Sequence, residues 1–233
     1  MKILAFDSTA QTASVAVCED ERLLAEITLN NGNTHSETLL PMAESLFRML
    51  SVGADDIDLF AASSGPGSFT GVRIGAATLK GMAFGRAKPC VGVSTLEALA
   101  YNLRTHKGII CPVMNARRMQ VYTAIFESDG ERLTRLTEDM AISAEELDEM
   151  LSAYASPVYL VGDGIEVALG CFKRTAAIPA AERERYQSGY SVAQVALALY
   201  REGKYMSDAE VSATYLRLSQ AERERLEKQN NQV

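Results

Sequence analysis

A glycine- and hydroxyl-rich turn between an apolar strand and a small-residue helix constrains this chain more than any other feature. Residues 57–62 form a largely apolar run of strand length, Gly65-Pro66-Gly67 interrupts regular structure, and residues 72–87 contain no proline and many helix formers. The stretch therefore predicts a strand, a tight turn and a helix. Because the first N–H groups of this helix lie beside Ser68 and Thr70, the turn is either a cradle for an anion or a corner in which a hydroxyl caps the helix.

The first turn of the chain is a second candidate for an anion or metal site. Residues 2–6, 14–18 and 23–29 predict three successive strands that form a β-meander with short polar connections. The first connection begins with Asp7, Ser8 and Thr9, whose carboxylate and hydroxyls could hold a phosphate or a metal. The same residue types also suit a hydrogen-bonded turn that closes a hairpin, and the sequence alone favours this second interpretation.

A helix predicted over residues 36–50 carries more apolar residues than a single buried stripe needs. The stripe is formed by Leu39, Met42 or Ala43, Leu46 and Leu50. Leu40, Phe47 and Met49 remain on other faces of the helix. Such an excess predicts contact with a partner protein or with a neighbouring helix.

The helix predicted over residues 71–87 is unusual for its spaced glycines, which are Gly71, Gly75, Gly81 and Gly85. Each interior glycine costs about 1 kcal/mol of helix propensity relative to alanine, so their repetition indicates that another backbone approaches closely. That backbone belongs either to the protein's own sheet or to a partner. The sequence leaves both interpretations open.

The order of predicted elements repeats from about residue 109. The later strands are predicted at residues 109–115, 120–127, 133–137 and 158–161, and the later helices at residues 143–153, 165–172 and 191–201. Each half thus has three antiparallel strands followed by alternating helices and strands. We predict an N-terminal lobe of residues 1–104 and a C-terminal lobe of residues 105–233, whose last helix can pack back on the first lobe. The charged residues 221–233 are predicted to be a solvated, frayed helix end.

The acidic balance of the chain argues against a protein that binds nucleic acid by itself. Its 30 acidic and 23 basic residues give a net charge of −7, whereas such binding normally needs a basic face. The four cysteines are far apart and lack the spacing of a zinc site, so they are predicted to be reduced thiols. The first apolar run is too short for a typical signal peptide, and no later run approaches ~20 apolar residues, so we expect a cytoplasmic location and no membrane partner.

Five blocks along the chain resemble one protein family. They are FDSTAQTASVAV at residues 6–17, HSE at 35–37 with Leu40 and Pro41 after it, SGPGSFTGVRIG at 64–75, NARRMQVY at 115–122 and YLR at 215–217. Together they resemble the TsaB (YeaZ) family over nearly the whole chain. The resemblance implies an α/β, actin-like (ribonuclease H-like) fold of two βββαβα lobes, each a mixed sheet flanked by helices. It also implies a part in placing threonylcarbamoyl on adenosine 37 of tRNAs that read codons beginning with A.

The catalytic relatives of that family, the TsaD-type subunits, have a motif that this chain has lost. They read roughly GVxHxEGH, with two histidines four apart that ligate a metal, whereas this chain reads GVSTLEAL from Gly92. Thr95 and Leu99 stand at the histidine positions, and neither side chain is a suitable ligand for a borderline divalent cation. The resemblance therefore implies a non-catalytic subunit, a pseudoenzyme with no metal site and no catalytic residues.

The resemblance also implies how partners bind. In the family, the helices at about residues 36–50 and 71–87 pack against the equivalent helices of TsaD, and the same surface supports a homodimer when TsaD is absent. The predicted interface residues are Leu39, Leu40, Ala43, Phe47, Leu50, Gly71, Gly75, Thr78 and Met82. A TsaE-type ATPase is expected to join near this interface, and tRNA is reached only through the complex. No cofactor is expected apart from weak ATP or ADP binding at the partner interface.

An actin-like ATPase or small-molecule kinase that acts alone is the alternative interpretation. Its nucleotide or anion loops would be formed by two groups of residues: Asp7, Ser8 and Thr9, and Ser68 and Thr70. Phosphate-binding folds of this type normally have a glycine where this chain has Thr9, because the backbone must approach the phosphate. The family usually has aspartate where this chain has Asn115, and an amide has no charge with which to hold a cation. Both departures indicate that these are degenerate loops and not functional nucleotide-binding loops.

Overall fold

Two mixed β-sheets, each flanked by helices, form the part of the protein that the computed structural model describes, which is residues 1–217. The charged tail predicted for residues 221–233 lies outside this part. Within the described residues, no helix has both the length and the apolar character that crossing a membrane requires.

The first sheet contains the predicted β-meander. Its strands are β1 (Lys2–Asp7), β2 (Ala13–Glu19), β3 (Arg22–Leu29), β4 (Leu59–Gly65) and β5 (Cys90–Ser94), in the order β3-β2-β1-β4-β5. The first three strands are antiparallel, whereas β4 and β5 run parallel to β1. Its connecting helices are α1 (His35–Leu50), α2 (Phe69–Ala83) and α3 (Thr95–Tyr101), with a 3-10 turn at Ala54–Asp56.

The second sheet repeats this arrangement. Its strands are β6 (Gly108–Asn115), β7 (Gln120–Thr123), β8 (Phe126–Ser128), β9 (Leu133–Arg135), β10 (Met140–Ser143), β11 (Val158–Val161) and β12 (Ala177–Pro179). The main path is β10-β7-β6-β11-β12, with β8 and β9 as a hairpin beside β6. The helices are α4 (Ala144–Leu151), α5 (Ile165–Cys171) and α6 (Gly189–Arg201), with a 3-10 turn at Glu182–Glu184. The duplicated α/β architecture predicted from the sequence is confirmed.

Both faces of the first sheet are covered by helices, which explains the unbroken apolar run of β1. Alternate residues of a strand point to opposite faces. Leu4 and Phe6 pack with residues of α1 and α2, whereas Ile3 and Ala5 pack with residues of α6. The last helix within residues 1–217 therefore lies on the first sheet, although it follows the second sheet in the chain.

Three predicted elements differ from the structure. The strand predicted over residues 120–127 is divided into β7 and β8, and the strand predicted over residues 133–137 is the outer half of a hairpin. The third strand of the second meander is β10, which the sequence analysis missed because all four of its residues are half-buried. The helix predicted to reach residue 87 ends at Ala83, since Gly85 has a φ of +74°, which a right-handed helix does not allow.

A buried carboxylate joins two helices of the second lobe. Asp148 of α4 accepts hydrogen bonds from the backbone N–H groups of Lys173 (2.7 Å), Arg174 (2.9 Å) and Thr175 (2.9 Å) in the loop after α5. Burial alone would raise the pKa of Asp148, but these hydrogen bonds outweigh it and the pKa is lowered. A carboxylate with a lowered pKa stabilises the fold above its unfolded pKa, and this contribution is lost as the pH falls through the folded pKa.

Asp148→Asn is therefore expected to lower the free energy of unfolding by about 1–3 kcal/mol at pH 7. The loss should shrink as the pH falls below about 4, where the unfolded carboxyl takes up a proton, and should be smallest below the lowered pKa of the folded carboxyl. Urea denaturation at several pH values measures this difference. Glu149→Gln is the control on the same helix, since its exposed pair with Arg174 contributes little. A loss that does not depend on pH would contradict the charged hydrogen-bonding role of Asp148.

Candidate functional site

The two candidate anion loops pack against each other in the structure. The Ser8 Oγ donates a hydrogen bond to the Gly71 carbonyl oxygen (2.9 Å), and the backbone N–H of Ser68 donates to the Thr9 carbonyl oxygen (2.7 Å). A Cβ atom on Gly67 or Gly71 would lie less than 3.0 Å from the carbonyl oxygens of Thr9 and Ser8, respectively. Glycine is needed for this approach. The protein's own backbone therefore occupies the space in front of α2.

The start of α2 is capped by one of the predicted hydroxyls. The backbone N–H of Gly71 donates to the Ser68 Oγ at 3.3 Å, so Ser68 satisfies one of the first N–H groups of the helix. Thr70 is exposed in the first turn. The cap that the second interpretation of this turn requires is therefore present.

Asp7 directs its hydrogen bonds into the protein. Its Oδ1 accepts from the Thr9 backbone N–H (2.9 Å) and the Thr9 hydroxyl (2.7 Å), and its Oδ2 accepts from the Ser63 hydroxyl. The carboxyl is only 1% exposed, and this burial raises its pKa while the hydrogen bonds from Ser63 and Thr9 oppose the rise. Ser8 and Thr9 are also buried. These residues form the hydrogen-bonded turn that the sequence favoured.

The two positions that the family resemblance aligns with the TsaD histidines hold core residues. Thr95 and Leu99 are buried on α3, and Leu99 packs in a cluster with Leu96 of the same helix and Met114 of the second sheet. Within residues 1–217, no three His, Cys, Asp or Glu side chains come together in a group that could hold a metal ion.

Asn115 closes an unusual turn at the end of β6. Its Oδ1 accepts from the backbone N–H of Arg117 (2.8 Å), and its own N–H donates to Asp163 (3.1 Å). Arg117, Arg118 and Met119 all have left-handed backbones, with φ of 64°, 53° and 57°. The strands predicted over residues 109–115 and 120–127 leave a turn at residues 116–119, which is confirmed. Its left-handed backbone could not be predicted, because none of the three is the glycine or asparagine that normally signals such a conformation.

The last described segment connects α2 to this turn and accounts for the YLR block. The Tyr215 ring stacks on Phe69 with centroids 4.5 Å apart, and its hydroxyl accepts from the Arg73 Nε (2.8 Å). Two residues later, Arg217 donates to the Ala116 carbonyl oxygen (2.9 Å) in the second lobe. This segment covers the side of α2 that carries Phe69 and Arg73.

Four of the predicted interface residues do not face outward. Leu39 and Ala43 are buried in the core beneath α1. Gly71 and Gly75 lie against Ser8, whose carbonyl oxygen and Oγ are their respective nearest neighbours. The expectation that these four residues contact a partner is corrected, because the protein's own sheet and first turn cover them.

The other predicted interface residues lie at or near the surface. Phe47, Leu50 and Met82 are half-buried and pack against the edge of the core, Thr78 is half-buried, and Leu40 is 46% exposed. With 3.6 residues per turn, Leu40 and Phe47 lie on one side of α1, and Met49 lies on the opposite side. On α2, a row of mostly small residues points away from the buried Val72 and Leu79. We call the outer surface of the two helices the α1–α2 face; it comprises Leu40, Phe47, Ile74, Ala77, Thr78 and Gly81.

Comparisons with known proteins establish the family. The family described as TsaD: tRNA N6-adenosine threonylcarbamoyltransferase matches residues 22–223. The tRNA threonylcarbamoyladenosine biosynthesis protein TsaB of Bacillus subtilis is 33% identical over 162 residues, which cover 70% of this chain and 71% of that protein. The chain belongs to the TsaB (YeaZ) family. TsaB of Escherichia coli is 28% identical over 220 residues, which cover 93% of this chain and 95% of that protein.

A solved member of the TsaB family has the same fold. YeaZ from Pseudomonas aeruginosa has a TM-score of 0.81 at 23% identity, and the match covers 92% of this chain and 99% of that one. An identity this low supports a statement about the fold alone. Together with the repeated strand order, it confirms the predicted actin-like fold.

The similarity to TsaD enzymes is more limited in extent. The tRNA N6-adenosine threonylcarbamoyltransferase of Kosmotoga olearia is 30% identical over 116 residues, which cover 43% of this chain and 35% of that enzyme. This TsaB-family chain therefore matches about a third of that transferase, and its own site has to be judged from its own residues.

Proposed function

We propose that this chain is the non-catalytic partner subunit of a TsaD-type enzyme that makes threonylcarbamoyladenosine in tRNA. This proposal rests on how the candidate loops pack. Asp7, Ser8 and Thr9 are buried, and Ser8 and Thr9 form hydrogen bonds to the start of α2. The names of the TsaB relatives supply the pathway. The loops of this chain then serve to build the subunit, and the transfer chemistry belongs to the partner.

The chemistry of the buried residues supports a subunit without a catalytic centre. A phosphate needs free N–H groups at the start of a helix, and here the N–H of Ser68 donates to the Thr9 carbonyl oxygen and the N–H of Gly71 donates to the Ser68 hydroxyl. A metal needs nitrogen, sulfur or carboxylate donors, and Thr95 and Leu99 offer none. We assign no catalytic residue, no metal and no resident cofactor to this chain. Weak ATP or ADP binding is assigned only to the interface with the partner.

The α1–α2 face is the proposed binding surface for the TsaD-type subunit. Leu40 is a large apolar residue that is half exposed, and a Cβ atom on Gly81 would meet no atom within 4 Å. Small residues on α2 let another backbone come close, and apolar side chains on α1 gain from being buried. In this proposal the same face forms a homodimer when the partner is absent. A TsaE-type ATPase then joins the heterodimer, and tRNA is bound through the complex.

Mixing the purified chain with the TsaD-family protein of the same organism tests this proposal. Light scattering coupled to size-exclusion chromatography should show a homodimer for the chain alone and a 1:1 heterodimer after mixing. Threonylcarbamoyl transfer to tRNA should require both proteins together with the ATPase. The absence of a complex at micromolar concentrations, or transfer by this chain alone, would overturn the proposal.

Asp7→Asn separates this function from an ATPase or kinase that acts alone. An enzyme that used Asp7 in phosphate chemistry should lose at least about 100-fold in activity, whereas the partner subunit should retain its activity in the complex within about two-fold. Asparagine can keep the Oδ1 hydrogen bonds from Thr9, and the Ser63 hydroxyl can turn to accept from the new amide. Tight binding and hydrolysis of Mg-ATP by the isolated wild-type chain, lost in Asp7→Asn, would contradict the proposal.

The same variant should also change the pH dependence of stability. Because the pKa of Asp7 is raised in the folded protein, the wild-type carboxyl stabilises the fold below its unfolded pKa and loses this contribution as the pH rises through the folded pKa. Asp7→Asn has no such titration. The difference in unfolding free energy between variant and wild type should therefore shift in favour of the variant as the pH rises from about 4.

A further inference from the structure

One short turn contacts the first residues of both helices that form the α1–α2 face. Residues 8–10, here named turn 8–10, lie between β1 and β2. The Ala10 carbonyl oxygen lies 2.6 Å from the Nε2 of His35, the first residue of α1. On the other side, the Ser8 hydroxyl donates a hydrogen bond to the Gly71 carbonyl oxygen, and the Thr9 carbonyl oxygen accepts one from the Ser68 N–H at the start of α2. Turn 8–10 therefore links the N-terminal ends of two helices that are distant in the chain.

We propose that turn 8–10 sets the position of α1 relative to α2, and that His35 is a positioning residue for partner binding. This inference rests on the proposed function, because the α1–α2 face has to be the surface that the TsaD-type subunit binds. The loop that would hold phosphate in a related kinase then has a different use in this chain. Turn 8–10 instead fixes the shape of the α1–α2 face.

The start of α1 lacks the usual side-chain cap. Its N-cap residue, Thr34, makes no side-chain capping hydrogen bond. By contrast, the serine before each of α2, α3, α4 and α6 accepts a hydrogen bond from the backbone of its helix. The hydrogen bond from His35 to Ala10 thus attaches the start of α1, which lacks the serine cap of α2, α3, α4 and α6.

The protonation of His35 follows from its partner. A carbonyl oxygen only accepts, so the Nε2 of His35 carries the proton and donates it to Ala10. The ring is half-buried, and its Nδ1 is buried without a hydrogen-bond partner in residues 1–217. The Nε2–H group is therefore the part of the ring that links α1 to turn 8–10.

The position of His35 connects this hydrogen bond to the binding surface. Leu40 follows His35 by little more than one helical turn, so a shift at the start of α1 moves Leu40 as well. Leu39, Ala43 and Leu46 anchor the rest of α1 in the core, so the helix should remain folded when the bond is lost. Loss of the bond is then expected to change the shape of the α1–α2 face more than the stability of the chain.

A pair of amide variants tests the proposal. The amide nitrogen of glutamine can reach the position of the histidine Nε2, whereas that of asparagine reaches only the position of Nδ1. His35→Gln should keep the affinity for the TsaD-family partner within about three-fold, and His35→Asn should weaken it by about ten-fold or more. Both should retain the thermal midpoint of the wild type within a few degrees. Isothermal calorimetry measures the affinity, and hydrogen exchange should rise in the first turn of α1 of His35→Asn.

Ser8→Ala provides a second test from the side of α2, because it removes the hydrogen bond to Gly71. It should weaken partner binding in the same way as His35→Asn. Wild-type affinity in both His35→Asn and Ser8→Ala would overturn the positioning role, as would equal weakening in His35→Gln and His35→Asn. If the wild-type chain itself binds no TsaD-family partner, the proposed function fails and this inference fails with it.

Discussion

Gly71→Ala and Gly81→Ala are expected to change the free energy of unfolding in opposite directions, although both replace a glycine of α2 by the best helix former. A Cβ atom at Gly71 would collide with the carbonyl group of Ser8, which belongs to the backbone and is fixed between β1 and β2. We expect a loss of at least about 3 kcal/mol. A Cβ atom at Gly81 meets nothing within 4 Å, so the variant should gain about 0.5–1 kcal/mol from helix propensity.

The change in the free energy of unfolding caused by Gly75→Ala should lie between those of Gly71→Ala and Gly81→Ala. A Cβ atom at Gly75 would come within 2.8 Å of the Ser8 Oγ, which is a side-chain atom and can rotate, but only by giving up its hydrogen bond to Gly71. A loss of about 1–2 kcal/mol is expected. Chemical denaturation at pH 7 ranks the three variants. Equal stabilities for Gly71→Ala and Gly81→Ala would contradict the close packing of the first turn against α2.

The glycines show how far the sequence could predict the candidate site. Their spacing indicated that a backbone approaches α2, and this holds only at Gly71, which meets the Ser8 carbonyl oxygen. Gly75 meets the Ser8 side chain, and a Cβ atom at Gly81 or Gly85 meets nothing within 4 Å. Ser8 is 63 residues away from Gly71 in the chain, so no local pattern could have shown that they touch. Two glycines four residues apart lie on the same side of a helix, but their spacing does not indicate what packs against that side.

The first lobe was easier to predict than the second for a physical reason. Its central strand β1 is buried on both faces, and this requires a continuous apolar run that is visible in the sequence. In the second lobe, β10 is half-buried over four residues and β9 has three, so neither carries a clear alternation. The predicted strands on either side place a turn at residues 116–119, but the left-handed backbone of Arg117, Arg118 and Met119 gives no signal, because none of the three is glycine or asparagine.

The family motifs predicted the helices of the binding surface but not the exposure of each residue. Neighbouring residues of a helix can lie in the core or at the surface, and which of the two applies depends on how the helix is tilted on its sheet. Leu39 and Leu40 are adjacent, yet Leu39 is buried and Leu40 is half exposed. The proposed partner surface is therefore narrower than the sequence predicted, and substitutions that test it have to be at exposed residues.

Leu40→Glu combined with Ala77→Glu is expected to abolish binding of the TsaD-family partner and leave the isolated chain folded. Both positions are exposed on the α1–α2 face, and glutamate is a good helix former, so the unfolding free energy should change by less than about 1 kcal/mol. In the complex, two carboxylates would be buried without partners. We expect the affinity to fall by at least about 100-fold.

Leu169→Glu is the matched control for this experiment, because Leu169 is 39% exposed on α5 of the second lobe and undergoes the same chemical change as Leu40. Calorimetric titration at 150 mM salt should show wild-type affinity for Leu169→Glu. The double variant should also run as a monomer when alone, since the proposed homodimer uses the same face. If the double variant binds the partner as tightly as the wild type, or if Leu169→Glu weakens binding equally, the partner lies on another surface.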